Sequence, residues 1–165
     1  MKSLFEKKYD RVVIRAYASM KRAKFSALLG AVRAMGADYL VIADNDHAPC
    51  VTIKKDLVCR GISGLQPQRI RVVVEEIESW YAAGLDREDM EKLETAFPAN
   101  TDGLTKEEFN ELVPERFDSR IDFMMEILKV FSLDSARIRN ASFDYFLHKE
   151  GLVQSPVKAA GERVS

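Results

Sequence analysis

The order of apolar and polar positions near the start of the chain predicts a strand followed by a helix. Residues 11–17, RVVIRAY, are rich in the β-branched and aromatic side chains typical of a strand. Ser19 is a suitable N-cap, and apolar residues then recur at helical spacing, at Phe25, Leu28, Leu29 and Val32. Gly36 is a natural left-handed terminator, so we expect this first β-α pair to end there.

The next part of the chain repeats this order. Residues 38–44, DYLVIAD, form a continuous apolar run of the kind found in a parallel strand buried on both faces. Pro49 suits the first turn of a helix that would end at Gly61, and residues 69–75, RIRVVVE, predict a third strand before the helical EIESWYAAG. The order β-α-β-α-β-α predicts a parallel α/β sheet with right-handed crossovers.

From about residue 86 to residue 152 the pattern becomes helical. Apolar residues share one helical face at Ile121, Met125 and Leu128, and Thr105 with Glu108 has the spacing of a capping box. Residues 153–165 show no period, so we expect a disordered tail. We find no linker long enough to divide residues 1–152, which we interpret as a single domain.

Charge and composition limit the classes of protein to consider. The chain has 165 residues and a net charge of −1, but residues 1–74 carry 14 Lys and Arg against 6 Asp and Glu, whereas residues 75–126 carry 5 against 16. Such blocks usually form solvated surfaces, and a basic block also permits a polyanionic partner. The charged start and the lack of an apolar run near the roughly 18 residues that span a bilayer predict a cytoplasmic protein without a membrane partner.

The candidate chemistry lies where two predicted strands end. The second strand would bring Asp44 and Asp46 to the carboxyl edge of the sheet, and the third would bring Glu75 and Glu76, at the edge where open parallel sheets bind ligands. Gathered carboxylates repel one another unless a cation or protons compensate, and hard oxygen ligands suit Mg²⁺ or Mn²⁺. The alternative is that these acids only cap turns and helices.

A basic turn follows the first predicted strand. Lys21, Arg22 and Lys24 lie in the first turn of a helix, where the macrodipole disfavours cations by up to about 1 kcal/mol. We expect these side chains to bind phosphate oxygens of a nucleic acid if the acidic edge holds a metal. The alternative is an exposed basic turn without a ligand.

Three stretches of the chain, taken in order, resemble a known family. YLVIADNDHAPCVTIKKDL, RIRVVVEEIESWYAAGL with Glu76, Glu78 and Trp80, and RNASFDYFL are similar to bacterial proteins with a TOPRIM-like domain, related to the overcoming-lysogenization-defect nucleases and associated with phage defence. The resemblance covers roughly residues 11–150. It implies a TOPRIM-like α/β core and a Mg²⁺-dependent phosphodiester site, with Asp44 and Asp46 as the acidic metal-binding pair.

The chain departs from that family in one element. TOPRIM enzymes place a glutamate, in an E-G-x-x-E type element, at the end of a preceding strand, whereas only Glu6 precedes the first predicted strand here. Either the chain is a shortened member, or its true start lies upstream, or Glu76 or Glu78 takes the catalytic role.

Two other functions remain open at this point. The first is a catalytically inactive TOPRIM-like module that binds or regulates without turnover. The second is an aspartyl-phosphate phosphatase or receiver-like protein, because LVIADND also resembles their acidic motif. For any of these functions we also consider a partner protein from the same operon. The sequence leaves the oligomeric state open.

Overall fold

The protein is mostly helical and contains one small sheet. The computed structural model describes residues 2–153. Its elements in chain order are α1 (Lys2–Phe5), α2 (Arg22–Ala34), β1 (Val41–Asp44), α3 (Val51–Cys59), β2 (Ile70–Val73), α4 (Ile77–Ala83), α5 (Arg87–Leu93), α6 (Lys106–Glu111), α7 (Arg120–Val130), α8 (Leu133–Arg139) and α9 (Ala141–Lys149).

The predicted parallel-sheet TOPRIM-like core, β-α-β-α-β-α, is wrong. Within residues 2–153 the sheet has two strands, β1 and β2, which run parallel with Val41 opposite Ile70 and Asp44 opposite Val73. The predicted strands at 38–44 and 69–75 are therefore present in shorter form. The predicted first strand, residues 11–17, belongs to no sheet.

Residues 11–17 have strand composition but no neighbouring strand. Val13 and Ile14 are 55% and 62% exposed, and only Tyr17 packs inward, where its ring stacks on Phe25 with 5.0 Å between centroids. The β-propensity of a residue largely reflects packing on a pleated, half-buried surface. Because no strand pairs with this segment, its composition alone does not produce a ladder.

Helices cover both faces of the two-stranded sheet. Alternate residues of a strand point to opposite faces. Val41, Ile70 and Val72 pack with α2 and with Val58 and Cys59 of α3. On the other face, Ile42 and Val73 pack with Phe143, Phe146 and Leu147 of α9 and with α1. The result is a three-layer arrangement in which each edge of the pair of strands lies between helices.

Helices α5, α6 and α7, with the loops beside them, build a second apolar core. Phe97, Phe109, Phe123 and Ile127 lie at its centre, and α4 joins the two cores because Ala82 packs into this one while Trp80 packs beside Phe143 and Phe146. The capping box predicted for α6 is confirmed, since the Thr105 hydroxyl accepts from the Glu108 N–H and the Glu108 carboxylate accepts from the Thr105 N–H. Local sequence signals are sufficient for such a cap.

The stretch RNASFDYFL has a structural role. Asn140 is buried, and its side-chain oxygen accepts from the Phe143 N–H at 2.9 Å, which caps α9. Its amide nitrogen lies 3.1 Å from the Thr101 hydroxyl, which donates to the Ser79 carbonyl at 3.0 Å. These bonds tie α9 to α4 through the loop before α6.

Three further features concern the cysteines, the helix lengths and the end of the chain. Cys50 and Cys59 are free cysteines, the first exposed and the second half-buried. No helix within residues 2–153 combines the length and the apolar character needed to cross a bilayer. Most of the predicted tail, residues 154–165, lies outside the described residues.

Candidate functional site at the carboxyl ends of the strands

Four acidic residues lie at or shortly after the carboxyl ends of β1 and β2, and we call them the acidic edge: Asp44, Asp46, Glu76 and Glu78. Asp44 is the last residue of β1, Glu76 is the N-cap of α4 and lies three positions after the end of β2, and Glu78 lies in the first turn of α4. Parallel pairing puts both strand ends at the same side of the sheet. The loops and helix after those ends therefore bring the carboxylates close together.

Burial and neighbouring charges raise the pKa of two of these acids, Asp44 and Glu76. Burial raises the pKa of Asp44 above its ordinary value; the Ile77 N–H opposes this by donating to the carboxylate at 2.9 Å, and the charges of Glu78 and Asp46 raise the pKa further. Burial also raises the pKa of Glu76, as do the charges of Glu78 and Asp44, while Lys106 lowers it. Both shifts favour the protonated forms, so the folded chain holds negative charge here at a cost.

Three of the four acids already have partners within the protein. Besides the Ile77 N–H on Asp44, the Asp46 carboxylate pairs with Lys54, and the Glu78 Oε1 lies 3.2 Å from the Arg120 Nε. In the part of the chain that the structure describes, no three or more His, Cys, Asp or Glu side chains are placed so that they could hold a metal ion. The acidic edge as it stands is therefore not a ready-made metal site.

The two predicted catalytic glutamates differ in their surroundings. Glu78 is 5% exposed and faces Arg120, whereas Glu76 is half-buried. A group that exchanges protons with a ligand must be within hydrogen-bond reach of it. Glu78 is therefore a buried side chain of α4, and Glu76 is the more accessible of the two glutamates.

Asn45 is a site residue that sequence reasoning missed. Its side-chain nitrogen donates to the Ala48 carbonyl at 3.0 Å, which fixes the amide orientation, and its buried Oδ1 has no hydrogen-bond partner among residues 2–153. A buried polar atom without a partner is costly, by about 1–3 kcal/mol. The oxygen lies between the two aspartates in sequence, in a loop where Asp46 and His47 have positive φ angles of 46° and 59°. The only signal in the sequence was the motif DND itself.

Arg120 and Tyr17 also belong to this site. Arg120 is the first residue of α7, a position that the helix macrodipole disfavours for a cation, and Glu78 compensates for this. The Tyr17 hydroxyl donates to the Ile42 carbonyl at 3.3 Å, and burial, followed by the charges of Asp44 and Asp46, raises the pKa of Tyr17. Both contacts join segments far apart in sequence, which no local pattern could predict.

One of the predicted phosphate-binding residues, Arg22, extends toward the end of α3. Lys21, Arg22 and Lys24 are exposed, and within residues 2–153 none of them is ion-paired with the four acids. The Arg22 Nη1 lies 3.1 Å from the position that a Cβ on Gly61 would occupy. Gly61 follows α3, which runs from the carboxyl end of β1 back to the amino end of β2, so Arg22 points away from the acids. A phosphate-binding role for the three residues stays a prediction.

Comparison with known protein families, with curated proteins and with solved structures found no match for this chain. The resemblance to TOPRIM-like proteins therefore stays a prediction, and the site has to be interpreted from its own geometry.

Proposed function

We propose that this chain binds a divalent cation, Mg²⁺ or Mn²⁺, at the acidic edge and through it a phosphate group of a nucleic acid or nucleotide. The observation that carries the proposal is the buried Asn45 Oδ1, which has no hydrogen-bond donor within residues 2–153 and directly follows Asp44, whose pKa is raised by burial. A cation would supply the missing partner of this oxygen and would relieve the repulsion between the carboxylates.

Asp46 has to leave Lys54 before it can serve as a ligand. The Asp46 side chain is 68% exposed, but the Lys54 side chain is only 12% exposed, so releasing Asp46 leaves a largely buried ammonium group without its counter-ion. The cation and Lys54 therefore compete for Asp46. Asp44, Asp46 and the amide of Asn45 would then hold the cation, with Glu76 nearby.

Binding, and not cleavage, is what we propose. The residues as placed do not form a metal-ligand set, Glu78 is enclosed by Arg120, and the core that implied a phosphodiester reaction is not present in the described structure. No hydrolytic step is therefore assigned to these side chains.

Titration with Mn²⁺, followed by the loss of the free-ion electron paramagnetic resonance signal, tests the cation site. We expect saturable binding that Asp44→Asn and Asn45→Ala each weaken about ten-fold or more, since loss of a ligand or its support typically costs 10–100-fold. Lys54→Met should tighten binding because it frees Asp46. Glu115→Gln, an exposed acid outside the acidic edge, is the matched control. Absence of saturable binding, or equal affinity of wild type, Asp44→Asn and Glu115→Gln, would refute the proposal.

The phosphate part of the proposal needs a second probe. A fluorescein-labelled single-stranded oligonucleotide should bind in the presence of Mn²⁺ and be released by a chelator. Lys21→Met with Lys24→Met would show whether the basic turn contributes. Binding that persists unchanged after chelation would contradict a phosphate site built on the cation.

A further inference from the structure

A cleft runs along the outer edge of β2, the edge that does not pair with β1. Its volume is about 350 Å³, and its lining includes Val51 and Lys55 of α3, Val72 and Val74 at the strand, and Tyr145 and Lys149 of α9. Since α3 and α9 cover opposite faces of the sheet, the cleft lies between the two helical layers, in the plane of the strands. This is the position that a third strand would occupy.

Within residues 2–153, no backbone segment pairs with the strand edge that forms the cleft. β1 is paired with β2 on one side, and outside that ladder the backbone hydrogen bonds of residues 2–153 include none made by residues 71–74. An open edge presents N–H and C=O groups ready for another extended chain. Val74 and Tyr145 beside it are 41% and 64% exposed, which gives the cleft apolar surface for alternate side chains of such a chain.

The cleft is lined by positively charged side chains that are not all neutralised by acids. Lys55 and Lys149 have no ion-pair partner within residues 2–153. Arg71 is already paired with Glu150 at 2.5 Å. The one acid in the lining, Asp102, accepts from the Ala141 N–H at 2.7 Å and so serves to cap α9. Two free ammonium groups therefore flank the open strand edge.

We propose that this cleft binds an extended acidic segment of a partner protein, which adds to β2 as a strand. Main-chain hydrogen bonds to the strand edge would supply affinity, and Lys55 and Lys149 would select acidic side chains over basic ones. A second copy of this chain fits less well, because its exposed extended segment, residues 11–16, would bring Arg11 and Arg15 against the two lysines. This proposal does not depend on the cation site.

Fluorescence anisotropy with defined peptides tests the proposal on the full chain. The probe is a fluorescein-labelled peptide in which glutamate and valine alternate, with a lysine–valine peptide and a backbone N-methylated glutamate–valine peptide as comparisons. We expect only the first to bind well. The double variant Lys55→Glu with Lys149→Glu should weaken binding of the glutamate–valine peptide about ten-fold or more, since two attractions become two repulsions. The same variant should gain affinity for the lysine–valine peptide.

Two controls separate the cleft from other surfaces. Lys7→Glu with Arg60→Glu reverses two exposed cations away from the cleft and should leave peptide affinity unchanged. Hydrogen exchange should slow at Val72 and Val74 in the presence of the peptide, and circular dichroism of each variant verifies folding.

Four results would overturn the proposal. The first two are that the N-methylated peptide binds as tightly as the unmodified one, or that the two double variants weaken peptide binding equally. The other two are that no peptide binds, or that hydrogen exchange of the Val72 amide does not change. A dimer, measured by light scattering, that Lys55→Glu with Lys149→Glu dissociates would assign the cleft to a second copy. Preference of the cleft for a single-stranded oligonucleotide over the peptide would assign it to nucleic acid.

Discussion

Replacing Arg120 by methionine removes the counter-ion of a carboxylate that the fold has taken out of water. The Glu78 side chain is 6% exposed and the Arg120 side chain 26%, and their closest atoms are 3.2 Å apart. Methionine keeps much of the length and apolar contact of arginine, so the change isolates the charge. In this variant the Glu78 carboxylate still interacts with the carboxylates of Asp44 and Glu76 but has lost its positive partner.

The size of the effect follows from burial. Breaking a buried ion pair by removing one partner costs about 3–5 kcal/mol, and water can replace part of the lost interaction because Arg120 is one-quarter exposed. We therefore expect the free energy of unfolding to fall by about 2–3 kcal/mol.

Urea unfolding of a double-mutant cycle measures this contribution. Glu78→Gln removes the buried charge, so Arg120→Met should cost at least about 1 kcal/mol less in that background than in the wild type. The matched control is Arg87→Met, whose i,i+4 partner Glu91 lies with it in solvent, and which should cost about 0.5 kcal/mol or less. Equal costs of Arg120→Met and Arg87→Met, or no coupling between Arg120 and Glu78, would refute this reasoning.

Two further predictions concern packing and pH. Gly84→Ala would place its Cβ 2.1 Å from the Phe131 Cδ2, so we expect the free energy of unfolding in urea to fall by about 1–3 kcal/mol. The Cβ of Gly103→Ala meets open space, so this control should change the free energy of unfolding by about 0.5 kcal/mol or less. Equal urea midpoints for the two variants would contradict this prediction. Because the pKa of Glu76 is raised above its ordinary value of 4.5, its stabilising contribution is complete below that pH and is lost as the pH rises through the raised pKa. Glu76→Gln, which resembles the protonated form, should therefore gain stability relative to wild type between pH 4 and pH 7, and a constant or opposite difference would show that the carboxylate is not strained.

Local signals along the chain predicted many of the elements. The apolar run before Asp44 is β1, the periodic residues Phe25 and Leu29 face the core from α2, and Gly36 has the left-handed φ of 66° expected after a helix. The Thr105 capping box is another example. Each of these features depends on residues a few positions apart, so both interacting residues lie within one short segment of the sequence.

Only the tertiary structure decided which elements pair and which charges meet. Residues 11–17 have strand composition, yet a strand exists only where another backbone supplies hydrogen bonds, and none does so here within residues 2–153. The acids were visible in the sequence, but Lys54 and Arg120, which compensate them, reach the site from α3 and α7. Secondary-structure propensity, hydrophobic spacing and helix caps are short-range properties that can be predicted directly from a sequence. Strand pairing and the neutralisation of charged side chains depend on distances that only the folded chain determines.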